Sequence, residues 1–378
     1  MKVVIAIDSF KGSLSSVEAG NAAARGVKRV FPDAECIVSP LADGGEGTVD
    51  ALVAGMGGEF REVEVTGPDG RPTEARYGLL PGGTAVMEMA QAAGITLVSG
   101  AARNPLRTTT YGVGEMIRDA AANGAKRIVM GIGGSATNDG GAGMLQALGW
   151  RLLDASGKDI QRGGAGLADI SRIESPDADA YADVSGISFR VACDVTNPLC
   201  GPNGASAVFG PQKGATPEMV AALDAALARF AAVATASLGA TGDAASAPGA
   251  GAAGGLGYAF KTFLGAELTQ GVDLVLQETR LDDAMRDVDV VVTGEGRLDG
   301  QTAMGKAPIG VARLAKRHYA QVLAFAGCLG DGVEALNEAG IDAYFPILRR
   351  VVTLEEALDR TAAAANLADA VEQAFRLL

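Results

Sequence analysis

A single histidine, His318, occurs in the 378 residues. A Ser-His-Asp triad or a His-ligated zinc site is therefore close to excluded, and His318 itself lies in a basic stretch, Arg313 to His318, that reads as a solvated helix face. The four cysteines (Cys36, Cys193, Cys200 and Cys328) form no C-x-x-C pair and show no zinc spacing, which leaves thiols in a reducing compartment. No apolar run reaches the length of a membrane span, and only five apolar residues separate Lys2 from Asp8, too few for a secretory leader. A cytoplasmic protein is expected. Lysine and arginine number 32 against 45 acidic residues, with no basic block, which argues against nucleic acid and anionic membrane as partners. Any anion site must then be built locally, from backbone amides and a few cations.

Several catalytic signatures are missing as well. No G-x-S-x-G occurs, because Thr137 stands where Ser135 would need the second glycine. Around Gly300-Gln301-Thr302 a P-loop fails, with Gln301 in the lysine position and Glu295 in place of the first glycine. The H-R-D and D-F-G of protein kinases are absent.

What the chain has in excess is glycine, 53 residues, about twice the usual share. With 48% hydrophobic and 20% charged residues it is globular, and it is long enough for two domains. Its most informative stretch is Arg127 to Leu145. Ile128 to Met130 reads as a buried strand, followed by a polar glycine loop and then by a helix over Met144 to Leu148. In an open α/β sheet the loop leaving a strand's carboxyl end binds ligands, and glycines there let amides approach an anion. Ser135, Thr137 and Asn138 add donors, and Asp139 adds a carboxylate for a metal. A glycine turn that merely caps the next helix explains this one loop equally well.

The same alternation runs along the chain. Val3 to Ile7 is a β-branched strand, a helix follows from Ser16 to Val30, Cys36 to Val38 is a second strand, and a short helix starts at Thr48. Glu59 to Thr66 and Thr73 to Leu80 alternate as a hairpin around Gly67 to Gly70. Further strands are expected at Thr84 to Met87, Arg190 to Cys193, Val288 to Val292, Gln321 to Phe325 and Ala343 to Phe345, and helices at Tyr111 to Ala122 and Pro217 to Leu238. Two N-terminal and three C-terminal strands would make one five-stranded parallel sheet. The expected division is thus a discontinuous Rossmann-like α/β domain, residues 1–60 and 285–378, interrupted by a second α/β domain, 61–284; a simple cut near residue 125 is also compatible. Gly249 to Gly257 reads either as a backbone-lined ligand loop or as a flexible surface loop.

Five strand-to-loop junctions carry glycine, carboxylate and hydroxyl or amide donors together: Asp8-Ser9-Lys11, Asp43-Gly44-Gly45-Glu46-Thr48, Ser135-Thr137-Asn138-Asp139, Asp194-Thr196-Asn197 and Thr293-Gly294-Glu295-Gly296-Asp299. Five such loops suit a charged ligand and a hard cation, and phosphoryl transfer needs little else than positioning and charge neutralisation. The competing enzyme reading is an NAD(P)-dependent dehydrogenase of a small hydroxy acid. Gly131 to Ala136 matches G-x-G-x-x-A after a strand, and Asp154 lies at a plausible distance for a ribose contact. Against it, several glycines would fall inside the helix this fingerprint requires, at about 1 kcal/mol each. A non-catalytic sugar-acid or nucleotide-binding protein is the third reading.

Six motifs now taken together, I-D-S-F-K-G-S-L-S, P-L-A-D-G-G-E-G-T, G-G-S-A-T-N-D-G-G, C-D-V-T-N-P-L-C-G, F-G-P-Q-K-G-A and V-T-G-E-G-R-L-D-G-Q-T, resemble the bacterial type I glycerate kinase family. They occur in order from residue 7 to about residue 306. The resemblance implies ATP-dependent phosphorylation of D-glycerate, usually at the 2-hydroxyl, with Mg²⁺. It also implies two α/β domains, one Rossmann- or flavodoxin-like, with the active site in the cleft between them. D-glycerate and ATP are then the partners, with a homodimer left open. Within that frame Asp194 is the candidate proton acceptor and Lys11 the candidate cation for a carboxylate or a transferring phosphate. Asp43 and Glu46, or Glu295 and Asp299, are the candidate metal-side carboxylates. Asp8, Ser9, Gly44, Gly45, Gly133, Gly134, Ser135, Thr137, Asn138, Thr196, Asn197, Gly294 and Gly296 are candidates to contact substrate or phosphate.

Overall fold

The structure is a computed structural model that describes residues 1–45, 47–177, 184–239 and 242–378. The chain divides into two compact units, one formed by residues 1–43, 50–58 and 272–378, the other by residues 44–49 and 59–271. The return to the first unit comes at 272, earlier than 285, because Val272, Leu276 and Leu281 pack into that unit's core.

The first unit is built on a five-stranded sheet, parallel throughout, with the strands Ala343–Pro346, Gln321–Leu329, Val290–Leu298, Lys2–Ile7 and Glu35–Val38 side by side in that order. Numbered along the chain this is the order 2-1-3-4-5 of flavodoxin-like sheets, whose ligand site lies where the order reverses, between the first and third strands. Side chains alternate across the sheet. Val3, Ile5, Ile7 and Val292 face one buried layer, while Val4, Ala6 and Val291 face the other. Ser16–Val30 and Arg360–Phe375 cover the first face, and Ala307–Arg317 covers the second. The Ser16–Val30 helix starts where its sequence dictates: Ser15 and Glu18 cap one another's backbone amides in a capping box.

The third strand of this sheet runs longer than its sequence suggests. Thr293 to Leu298, expected as a polar loop, stays in the sheet, with Glu295 paired to Ala326 and Arg297 to Cys328. Gly294 makes this close approach tolerable, since a Cβ there would lie 2.0 Å from the Phe325 carbonyl oxygen.

The second unit holds a six-stranded sheet in the order Glu267–Thr269, Ser188–Ala192, Arg127–Gly131, Thr84–Glu88, Pro72–Leu80 and Glu59–Thr66. The pairs among the first four of these strands are parallel, and the remaining two form the antiparallel hairpin at the edge. Its core gathers Phe230, Tyr258 and Phe263 in mutual ring contact, with Trp150 edge-on to Phe263 at 5.1 Å. By length and composition the helix Pro217–Leu238 could cross a bilayer, but Leu223, Leu227, Phe230 and Ala234 lie on its buried stripe. Asp224 accepts from the Gly201 amide and Arg229 donates to the Ile170 carbonyl, so its polar side chains serve this unit too.

Candidate functional site

In the second unit a pocket of about 360 Å³ opens at the carboxyl ends of Arg127–Gly131 and Ser188–Ala192. Its wall includes Gly44, Gly45, Gly133 to Ser135, Cys193 to Val195, Gln212 and Lys213. The Gly44 turn has φ +87°, and a Cβ on Gly44 would lie 2.5 Å from the Gly271 Cα. Glu88 pins the chain just beyond, its Oε1 accepting from the amides of Gly47 and Val49.

After Gly131 the backbone does not enter a helix. Ile95 donates to the Gly134 carbonyl and Ala136 donates to the Ala93 carbonyl, so the loop is held from its carbonyl side at Gly134. Among the described residues, the amides of Gly133, Gly134 and Ser135 donate to no protein acceptor. A Cβ on Gly133 would meet nothing within 4 Å, so this backbone faces open space.

Lys213 completes the wall. It ends the single turn Pro211–Lys213 and is 1% exposed. Its Nζ donates to Ser135 Oγ and to the Thr137 carbonyl oxygen, both at 2.7 Å. Burial pushes the Lys213 ammonium down to about 7, against a weaker opposing pull from Asp139. The F-G-P-Q-K-G-A motif by itself gives its lysine no role. The available signal was a lysine between turn-forming Pro211 and Gly214 in a chain with few cations.

Other candidates turn out to be framework. Asp139 has no exposure, and its carboxylate accepts from the amides of Thr110, Gly141 and Gly143 and from the Thr110 hydroxyl. It caps the short helix Ala142–Ala147, which starts and ends ahead of the expected span, and has no face left for a metal. Thr137 and Asn138 are also fully buried and stand outside the pocket wall, Asn138 donating to Ser206 Oγ. Asp154 holds a turn, its Oδ1 accepting from the amides of Ser156 and Lys158, and it does not line the pocket. Gly249 to Gly257 is neither surface loop nor linker: Ala252 and Ala253 line the pocket, in keeping with the ligand-loop reading. Gly254 and Gly255 lie at φ +68° and +94° inside the Ala252–Phe263 helical segment, and Gly254 packs against the backbone of Thr137 and Asn138.

Asp194 is exposed at the pocket and accepts from the Gly271 amide at 2.8 Å. Next to it Thr196 is exposed, while Asn197 bonds the Asn203 carbonyl oxygen.

In the first unit, the sheet's order reverses between Lys2–Ile7 and Val290–Leu298, and the carboxylates collect there. Asp8 donates its amide to the Gly294 carbonyl oxygen, and the Lys11 turn passes over Gly296. Burial raises Asp8 to about 7, helped by Asp43 and Glu295, while Lys11 pulls the other way. Burial also raises Glu295, whose Oε1 accepts from Thr302 Oγ1 at 2.7 Å. Ser9 gives its amide to Asp8 Oδ1. Asp299 is not part of this group in its bonding: it caps the amides of Gln301 and Thr302 and pairs with Arg297. Glu46 lies outside the described residues. No cluster of three or more metal-ligating side chains occurs among the described residues.

Residues 3–378 match the family model described as the glycerate kinase family. The chain belongs to that family. It is 50% identical to a glycerate kinase of Bacillus subtilis (strain 168), over 96% of this chain and 94% of the relative. It is 48% identical to a glycerate 2-kinase of Escherichia coli (strain K12), over 94% and 93%. A crystal structure described as a glycerate kinase 2 from Salmonella typhimurium LT2 is 47% identical and superposes with a TM-score of 0.90, covering 100% of this chain and 98% of that one. Family membership removes the dehydrogenase reading, and the loop geometry agrees: the fingerprint needs a helix opening on its glycines, and none opens before Ala142.

Proposed function

We propose that this chain transfers the γ-phosphoryl group of ATP to D-glycerate, at the 2-hydroxyl. The observation that carries this reading is the nearly full-length similarity to enzymes named glycerate kinase and glycerate 2-kinase. The pocket at the strand ends, lined among the described residues by the free amides of Gly133 to Ser135 and by Asp194, suits the same chemistry. In the reaction the glycerate hydroxyl oxygen forms a bond to the γ-phosphorus, the bond from that phosphorus to the bridging oxygen of ADP breaks, and the hydroxyl proton goes to a base. Asp194 is our candidate base. Its hold on the Gly271 amide fixes one carboxylate oxygen, and a carboxylate is a group able to accept the proton. Gly133, Gly134, Ser135, Gly44 and Gly45 are the candidate ligand contacts of the second unit, together with Thr196 and Asn197.

For the first unit, Asp8, Ser9, Lys11, Gly294 and Gly296 are the candidate contacts at the switch point. Mg²⁺ fits the donors gathered there: Asp8, Asp43 and Glu295 are hard oxygen ligands, the Asp43 and Glu295 charges help to raise Asp8 and the Asp43 charge helps to raise Glu295, and such a cation takes one or two carboxylates besides phosphate oxygens. We assign Asp43 and Glu295 to hold it; when bound it would neutralise charge on the transferring phosphate. Asp299 is left out, since its oxygens are occupied. All four cysteines are free, which supports a reducing, cytoplasmic setting.

The decisive assay couples ADP release to a spectroscopic readout. Turnover should require ATP, D-glycerate and Mg²⁺ together, with ³¹P NMR identifying 2-phosphoglycerate. Binding without ADP release would leave a non-catalytic binding protein, and an absorbance change with NAD⁺ or NADP⁺ would revive the dehydrogenase.

A further inference from the structure

Lys213 is an expensive residue to keep. A lysine ammonium offers three donors, and two are used here, by Ser135 Oγ and the Thr137 carbonyl oxygen. Neither partner carries charge. The carboxylate that acts on it, Asp139, spends its oxygens on Thr110, Gly141 and Gly143, and no hydrogen bond joins it to Lys213. A buried ammonium without a bonded counter-ion is costly, and natural cores seldom retain one for packing alone. Lys213 nevertheless forms part of the pocket wall beside Gly133, Gly134 and Ser135, whose three consecutive amides have no acceptor among the described residues. Because Ser135 Oγ accepts from Lys213, its own O–H is free to donate elsewhere.

We propose that Lys213 is the cation of an anion-binding cradle, completed by the amides of Gly133, Gly134 and Ser135 and by the Ser135 hydroxyl, which receives the charged oxygens of a bound ligand. The ligand chemistry is a compact oxyanion, and it has two sources under the kinase reading on which this inference rests: the carboxylate of the hydroxy acid or a phosphoryl group of ATP. An anion seated there supplies the counter-ion the site lacks. It therefore draws Lys213 toward its charged form, and binding above neutral pH takes up a proton. The other titratable groups around Lys213 are Asp139 in the loop behind it and Cys193 and Asp194 on the pocket wall. Burial raises the Cys193 thiol, so it stays protonated and cannot supply this uptake.

The test is calorimetric binding to the full chain of D-glycerate alone and of Mg²⁺-ATP alone, for wild type, Lys213→Met and Lys213→Arg. Lys213→Met should weaken one of the two ligands by at least about tenfold and leave the other within about threefold, and the ligand affected identifies the source. Lys213→Arg, which keeps the charge, should recover part of the loss. Wild type at pH 8.5, titrated in buffers of different ionisation enthalpy, should show proton uptake with the affected ligand and none at pH 6. Unchanged binding of both ligands by a folded Lys213→Met overturns the proposal. Should that variant fail to fold, absence of proton uptake in wild type at pH 8.5 overturns it instead. Normal turnover combined with unaltered binding in Lys213→Met would defeat this inference and leave the kinase reading standing. Binding that depends on Lys213 without any ADP release would do the reverse.

Discussion

Lys213 and Ser135 stand 78 residues apart in the chain, yet Nζ and Oγ are 2.7 Å apart at the pocket wall. That bond fixes the direction of the Ser135 hydroxyl and places a buried cation beneath a loop of unpaired amides. It also leaves a mark on stability. Lys213 has an ordinary value of 10.5 and a folded value of about 7. Below pH 7 the ammonium is charged in both folded and unfolded chains, and the folded state carries the full cost of burying it. Between 7 and 10.5 the unfolded chain keeps a proton that the folded chain has released, so this contribution rises with pH until the cost is gone. Lys213→Met removes the effect. The stability of the variant relative to wild type should fall as pH is raised from 6.5 to 9.5, by up to about 3 kcal/mol and by less with relaxation or water entry. Urea unfolding at several pH values checks it; a pH-independent difference would contradict the burial argument.

The carboxylates of the first unit should separate into two kinds. Asp43→Asn and Glu295→Gln, on the metal assignment, should raise the Mg²⁺ concentration for half-maximal activity by about tenfold or more and reduce Mg²⁺ binding measured directly by calorimetry. Asp299→Asn should leave the Mg²⁺ requirement close to wild type and lower stability by less than about 1 kcal/mol, since the asparagine oxygen can keep the turn cap and only the exposed Arg297 pair is lost. A large Mg²⁺ effect from Asp299 would reverse the assignment.

Much of the fold is written locally. Helix Ser16–Val30 is announced by its capping box, Tyr111–Ala122 by its periodicity and the Glu59–Thr66 hairpin by alternation around a glycine turn. The strand Val290–Leu298 was harder, because Gly294, Glu295 and Gly296 look like a loop until the neighbouring strand Gln321–Leu329 is there to pair with them. Site residues were legible as residue types and not as orientations. Asp139 and Asp194 look alike in sequence, each after a strand and amid turn residues. Only the tertiary contacts show Asp139 turned inward onto the Thr110 and Gly143 amides and Asp194 exposed at the pocket. The importance of Lys213 comes from burial, and no local pattern encodes that.

Two glycines should respond oppositely to a single methyl group. Gly254 has φ +68°, and a Cβ there would lie 2.1 Å from the Thr137 carbonyl oxygen. Gly254→Ala should cost more than about 2 kcal/mol, visible as a Tm lowered by several degrees. At Gly133 a Cβ meets nothing within 4 Å. Gly133→Ala should keep stability within about 0.5 kcal/mol of wild type while weakening ligand binding, because its methyl group projects into the space a ligand would use.

Lys11 is exposed and acts on Asp8 from a turn closed by Phe10 and Leu14. Lys11→Met should therefore leave the melting temperature within about 2 °C of wild type. If Lys11 holds a ground-state carboxylate, KM for D-glycerate rises with kcat unchanged; if it meets only the transferring phosphoryl, kcat falls. Full activity on both counts removes Lys11 from the site.

Asp194→Asn separates chemistry from architecture. In the folded chain one carboxylate oxygen of Asp194 accepts from the Gly271 amide at 2.8 Å. The asparagine amide oxygen can accept the same bond, so the tie to Gly271 survives and the Tm should stay within a few degrees. What is lost is negative charge and the capacity to take a proton. A base that accepts the hydroxyl proton in the transition state is worth about 10²- to 10⁴-fold, so kcat should fall by at least about 10² while KM for D-glycerate changes less than about threefold. Raising the pH makes the two roles distinguishable again. If Asp194 is the base, the wild-type rate shows a titration step on the acid side that the variant lacks, because the variant's residual rate no longer depends on ionising that group. If Asp194 only ties down the Gly271 amide, Asn should serve as well, and both kcat and its pH profile should match wild type. An Asp194→Asn enzyme with wild-type kcat would thus move the base elsewhere while leaving the family, the fold and the Lys213 cradle intact.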